Sequence, residues 1–147
     1  MRRADYMVNV KDFTTLKAEH FMQDVVSYYH VETKGDRLAA AITEGGFGSV
    51  PILAKDGKVL GIVSEFDLLK VITEGKELSS VTAGDIMTKG AISVTGDTPV
   101  MEVMNLLQSK HLIRVAVIDA EGKLVGIVSR RDILLGYVKA TKPIWTF

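Results

Sequence analysis

The sequence predicts an α/β chain built from two β-α-β-β-α repeats related by a pseudo-twofold axis. Three observations carry this. The chain matches itself without gaps at an offset of 65 residues. Apolar β-prone runs and helix-period runs alternate in the same order in both copies. Apolar residues make up 47% of the 147 and charged residues 24%, the balance of a globular chain that buries a core without staples.

The match is densest where GKVLGIVSEFDLL (57–69) falls on GKLVGIVSRRDIL (122–134). Gly57, Lys58, Gly61, Ile62, Val63, Ser64, Asp67 and Leu69 recur as Gly122, Lys123, Gly126, Ile127, Val128, Ser129, Asp132 and Leu134. The same offset sets Met22 on Met87, Thr33 on Thr98 and Val50 on Val115. A unit of about sixty residues is too small to bury both of its faces alone, so the two are expected to pack on each other. The repeats are placed at 15–74 and 80–140, with 1–14 as an N-terminal extension and 141–147 as a C-terminal tail.

In the second copy, AISVT (91–95) is a short β-prone run. Gly96-Asp97-Thr98-Pro99 is a turn into a helix, with Asp97 or Thr98 as N-cap and Pro99 at the first helical position. Val100, Val103, Met104 and Leu107 follow at helical spacing. RVAVID (114–119) and LVGIVS (124–129) flank a tight turn and read as a β-hairpin. A second helix starts at Arg131. The first copy repeats this pattern: a helix over 35–43, strands 49–54 and 59–64, and a helix over 66–73. Thr15–Phe21 is its lead-in. GGFG (45–48) lacks the spacing of a phosphate loop and reads as a helix C-cap turn. Tyr28-Tyr29-His30 reads as core, and His111 as a partly exposed histidine after a helix.

Composition excludes several function classes. Eighteen basic side chains balance eighteen acidic ones, so the net charge is zero. That argues against phosphate-backbone binding and against steering to anionic membranes. No cysteine is present, which removes thiol chemistry and fits a reducing, cytoplasmic setting. His20, His30 and His111 lack metal-ligand spacing, and no Ser/His/Asp constellation can be argued. The reading is therefore no metal, no catalytic residues and no enzyme. No apolar run approaches the ~20 residues of a membrane span, and MRRADYMVNV lacks a signal-peptide h-region.

The residues that could carry function are the duplicated Ser-x-x-Asp pairs, Ser64/Asp67 and Ser129/Asp132, each where a strand meets a helix. One reading is a capping pair: Ser as N-cap, with an acidic residue favoured by the helix dipole. The other is a nucleotide grip, because a carboxylate accepts both hydrogen bonds of a ribose diol while the helix N-terminus receives a phosphate. Between Ser and Asp the first copy has Glu65-Phe66 and the second Arg130-Arg131. Arg131 sits against the dipole, a conflict that a ligand phosphate would remove. Arg114 interrupts an apolar stretch, either as a strand-edge residue or as part of a site.

The repeated GIVS-x-x-D segment, the lead-in AGDIMTKGAISVTGDTPV (83–100) and the 65-residue period together resemble a pair of cystathionine-β-synthase (CBS) domains over about residues 15–140. The resemblance implies a pseudo-twofold Bateman module that commonly forms a homodimer and binds AMP, ADP, ATP or S-adenosylmethionine in clefts between repeats. It implies a regulatory sensor rather than a catalyst, with an adenosine nucleotide as regulatory ligand and no required cofactor. Carried over by position, one site would use Ser129, Arg131 and Asp132 with Ser27, Val50 and Pro51. The other would use Ser64 and Asp67 with Thr88, Ile92, Arg114, Val115 and Ala116. Arg131 and Arg114 match phosphate-contacting positions.

The chain departs from the family pattern in three places. Gln23 stands where the second copy has Thr88, Ala116 replaces a common proline, and Tyr28-Tyr29-His30 is bulky beside the Asp132 site. The chain leaves no room for an attached enzyme, so its effector is expected to be another, unknown protein. The alternatives are a ligand-free interaction module of the same fold and, with less support, nucleic-acid binding through Arg114, Arg130 and Arg131. Trp145 and Phe147 would make a sticky exposed tail, which favours packing on a partner.

Overall fold

The structure is a computed structural model that describes residues 12–24, 27–90 and 92–141. The chain divides into two compact units. The first holds the described residues up to 24, Ile92–Ala120, and those from Val125 onward; the second holds the described residues from Ser27 to 90, with Glu121–Leu124. The Trp145/Phe147 tail and most of the N-terminal extension lie outside the described residues.

The second unit is a four-stranded sheet in the order β1-β2-β3-β4, formed by Tyr29–His30, Ser49–Leu53, Val59–Ser64 and Thr88–Lys89. β2 and β3 are the expected hairpin, antiparallel with Val50 opposite Val63 and Pro51 opposite Ile62. Every residue of β2 is buried, as its unbroken SVPIL run demands of a central strand. β1 runs parallel to β2 only at Ile52 and Leu53, so no β1 residue faces Pro51, which has no N–H to offer.

Two helices, α1 (Gly35–Gly45) and α2 (Glu65–Thr73), cover the sheet. Leu38, Ile42 and Leu68 close the core on Val50, Ile52 and Val63. α1 ends at Gly46, whose φ of 69° is the left-handed cap that the GGFG turn predicts. A short helix, α3 (Ala83–Ile86), precedes β4 and opens on a capping box. Thr82 N–H donates to Asp85 Oδ2 at 2.9 Å, and Asp85 N–H donates to Thr82 Oγ1 at 3.3 Å. The backbone bond from Thr82 and then its hydroxyl hold the Asp85 carboxyl below its ordinary pKa.

The first unit is a three-stranded sheet in the order β5-β6-β7, formed by Ser93–Thr95, Arg114–Ile118 and Leu124–Ser129. β5 is parallel to β6, with Val94 opposite Val117. Helices α4 (Val100–Ser109) and α5 (Arg130–Thr141) complete it. Phe21, Val100, Val103, Val117 and Val128 are fully enclosed at its centre. Phe13 meets both Phe21 and Tyr137 edge to face, with ring centroids 5.5 and 5.1 Å apart.

The lead-ins cross over. Residues 13–23, at the start of the first repeat, pack in the unit that carries the second repeat's strands, where Gln23 bridges Ile127. By the same pattern β4, near the start of the second repeat, pairs with β3 of the first, Thr88 opposite Ile62. Both pairings obey the 65-residue offset. The physical reason is a glycine in each receiving strand. A Cβ on Gly61 would lie 2.6 Å from the Thr88 carbonyl oxygen, and one on Gly126 would lie 2.7 Å from Met22 Sδ.

Two local expectations are corrected. The N-cap of α4 is Pro99, with no side-chain cap bond, and the helix starts at Val100. Asp97 and Thr98 turn back instead: Thr95 Oγ1 donates to Asp97 Oδ1 at 2.6 Å and Thr95 N–H to Thr98 Oγ1 at 3.1 Å. With both side chains held in the turn, neither reaches the helix N–H groups. Tyr28 is exposed rather than core, while Tyr29 packs against the apolar interior. Tyr28 precedes β1, whereas Tyr29 is within the strand and pairs with Ile52. His111 is exposed after α4, as expected.

Candidate functional site

Both Ser-x-x-Asp pairs sit at the junction where a hairpin strand ends and a helix begins. In the second unit Ser64 closes β3 and caps α2. Its N–H and Oγ donate to Asp67 Oδ2 at 2.8 and 3.1 Å, and Asp67 N–H donates to Ser64 Oγ at 3.3 Å. In the first unit Ser129 does the same for α5, with corresponding distances of 3.1, 2.8 and 3.1 Å. Each pair is therefore a reciprocal capping box, the arrangement that spacing of Ser and Asp three apart allows. The capping reading of the sequence describes this geometry well. It leaves the other carboxylate oxygen of each Asp outside the box.

The environments of the two carboxylates differ. Asp67 is half-buried, and among the described residues its hydrogen-bond partner is Ser64 alone. It borders a cavity of about 250 Å³ lined also by Lys70, Glu74, Lys76 and Asp85, so α2 supplies a polar wall at helical spacing. Asp132 is 0% exposed. The Gln23 side-chain amide lies over it, Nε2 at 3.4 Å from Oδ1 and 3.5 Å from Oδ2. Arg114, half-buried at the head of β6, belongs to the same unit. Burial lowers its pKa, and the charge of Asp132 raises it partway back.

The remaining candidates fall as follows. Thr88 is exposed on β4, Ser27 is exposed before β1, and Val50 and Pro51 are buried in β2. These lie in the second unit with Ser64 and Asp67. Val115 and Ala116 are buried in β6, Arg131 is exposed at the head of α5, and Ile92 is half-buried. These lie in the first unit with Arg114, Ser129 and Asp132. Ile92 borders a cavity of about 610 Å³ at the β5 edge, with Glu102 and Asn105 of α4 on its other wall.

Sequence reasoning names Gln23 only as a departure from the repeat pattern, and it does not single out Lys70, Lys76 or Asp85. For Gln23 the signal was present, because the offset sets it on Thr88. Among the described residues no cluster of His, Cys, Asp or Glu could hold a metal ion. No described helix is long and apolar enough to cross a membrane.

Comparison with known proteins agrees with this architecture. The CBS domain family matches twice, over residues 8–74 and 83–139. The uncharacterized protein MK0525 of Methanopyrus kandleri is 38% identical over 113 residues, which are 76% of this chain and 57% of that protein. The chain thus spans little more than half of that relative, and 27% of the uncharacterized protein MJ1404 of Methanocaldococcus jannaschii.

Among solved structures, CBSX2 in complex with AMP superposes with a TM-score of 0.77 at 23% identity, covering 86% of this chain and 99% of that one. The CBS domain pair of MJ0100, in complex with 5′-methylthioadenosine and S-adenosylmethionine, gives 0.73 at 24%, covering 82% and 94%. Two matched repeats, the β-α-β-β-α order built twice and the shared fold lead to one assignment: this chain belongs to the CBS domain family.

Proposed function

We propose that the chain is a regulatory module that binds an adenosine-type ligand and passes the binding event to a partner protein. The observation that carries the proposal is the Ser64–Asp67 pair. Its carboxylate is fixed in orientation by a capping box, half-exposed, and set beside a cavity. A carboxylate held this way accepts the two hydroxyls of a ribose without reorganising. The fold shared with CBS pairs that bind AMP or S-adenosylmethionine supports an adenosine as the rest of the ligand.

AMP, ADP and ATP are the ligands we favour. Arg114 and Arg131 are the proposed phosphate contacts. Val50, Pro51, Val115 and Ala116 on the hairpin strands, with Ser27, Thr88 and Ile92 just before their repeats' first strands, are the proposed adenine contacts. The module is proposed to be cytoplasmic and to have no catalytic activity of its own. A ligand that binds the folded chain alone raises its melting temperature in proportion to the logarithm of its concentration. The expected result is a rise with at least one of AMP, ADP, ATP or S-adenosylmethionine that continues beyond saturation. A flat response to all four contradicts the proposal.

We further propose that the module is a homodimer. The second helix of each repeat carries apolar residues outward at helical spacing: Phe66, Leu69 and Ile72 on α2, and Leu134, Tyr137 and Val138 on α5. Phe66 is 83% exposed, an unusual position for an aromatic ring that no partner covers. Sedimentation equilibrium is expected to give twice the chain mass, reduced to the chain mass in Phe66→Glu/Leu134→Glu. A wild-type monomer at micromolar concentration overturns the dimer.

The competing reading is a ligand-free interaction module. It draws on the fact that both Ser–Asp pairs already serve as caps. It predicts that Asp67→Ala costs stability without affecting any adenosine titration.

A further inference from the structure

We propose that Gln23 closes the Asp132 grip, so that each chain takes its adenosine-type ligand at Asp67 alone. This rests on the adenosine-binding reading above and adds which of the two pairs performs it. Gln23 and Thr88 are the same position of the repeat, 65 residues apart. Both are carried by a lead-in that pairs with the hairpin strand leading to a Ser–Asp pair. What differs is the side chain.

Gln23 is clamped by its backbone. Its N–H donates to the Ile127 carbonyl at 2.9 Å, and the Ile127 N–H donates back at 3.2 Å. Met22 lies in the space left by Gly126. The side chain so placed lays its amide across Asp132, Nε2 within 3.5 Å of both carboxylate oxygens. That is the place from which two ribose hydroxyls would donate. Asp132 is itself 0% exposed. A ligand reaching it would have to expel an amide already seated on the carboxylate and open buried structure.

At the other pair the lead-in offers only a threonine. Thr88 keeps the matching register opposite Ile62 but is exposed, and among the described residues it makes no hydrogen bond to Asp67. Asp67 Oδ2 holds the cap while Oδ1 is outside it, on the side chain that borders the 250 Å³ cavity. Among the described residues no side chain but Ser64 is bonded to Asp67, so a ligand there meets no seated amide. The two long contacts from Gln23 are weak singly, but a ligand at Asp132 must displace both and also uncover a fully buried carboxylate.

Titration calorimetry of the full chain with AMP, ADP, ATP and S-adenosylmethionine in turn tests this. The expected stoichiometry is one ligand per chain, with affinity reduced by more than about tenfold in Asp67→Asn. Gln23→Thr, which copies the other repeat, is expected to raise the stoichiometry to two. Adding Asp132→Asn to Gln23→Thr is expected to return it to one. Two ligands per wild-type chain, undiminished binding by Asp67→Asn, or an unchanged single site in Gln23→Thr overturns the inference while leaving adenosine binding intact. No heat from any of the four with a folded chain overturns the adenosine reading and this inference with it. Circular dichroism checks that each variant folds. Gln23→Thr removes no enclosed apolar group, so it carries the test even if Asp67→Asn does not fold.

Discussion

Asp132→Ala is expected to destabilise the chain by about 3–5 kcal/mol, whereas Asp67→Ala is expected to cost only about 0.5–2 kcal/mol. The two residues share a motif and a capping role, so the difference comes from what surrounds them. Removing Asp67 removes a half-exposed cap. Removing Asp132 removes the same cap and also the acceptor beneath the Gln23 amide and the charge that offsets burial of the Arg114 guanidinium. Polar groups left behind in a water-poor interior keep their desolvation cost and lose the interaction that offset it. Urea denaturation followed by circular dichroism measures both. Equal losses within about 0.5 kcal/mol would show that Asp132 contributes as a cap and nothing more.

Gly61→Ala is expected to cost about 1–3 kcal/mol and to loosen β4 in particular. The added methyl would sit 2.6 Å from the Thr88 carbonyl oxygen, a backbone atom of the paired strand. Backbone cannot swing aside as a flexible side chain can, so β3 and β4 must part. At the equivalent Gly126 the first atom met is Met22 Sδ at 2.7 Å, which can rotate away, although the Gln23 carbonyl follows at 3.0 Å. Gly126→Ala is therefore expected to be the milder of the two. Hydrogen exchange resolves the effect: amides across β3–β4 should lose protection in Gly61→Ala while the α1 core keeps it. Unchanged protection at β4 would mean that the close approach does not hold the lead-in.

These expectations show which features are legible in the sequence. The hairpins are, because two apolar β-prone runs around a Gly-containing turn are a local signal. The helices are, because Leu38, Ile42, Val100, Val103 and Leu107 recur at helical spacing. The doubling of the Ser–Asp pair is visible in the self-match alone. Partnership of the lead-ins is not. Gln23 meets Ile127 and Asp132 across more than a hundred residues of chain, and no local propensity encodes which hairpin a short strand will choose. The glycines at 61 and 126 are the trace it leaves in the sequence, readable only once the pairing is known.

The N-cap of α4 is hidden from local sequence signals for a related reason. Asp97 and Thr98 are both good caps, but Thr95 lies within reach of each and takes them first. Burial separates the two Ser–Asp pairs more sharply than their shared residues suggest. At the lead-in position Gln23 reaches the carboxylate in one copy, and in the other copy the same position is Thr88.

Binding of an adenosine-type ligand by this CBS pair can be read by equilibrium dialysis of the purified chain against labelled AMP, ADP, ATP and S-adenosylmethionine at fixed salt. The expected result is saturable, micromolar retention of at least one of the four, abolished by excess of the same compound unlabelled. Retention of none, by a chain whose circular dichroism shows it folded, would contradict it and leave an interaction module in its place.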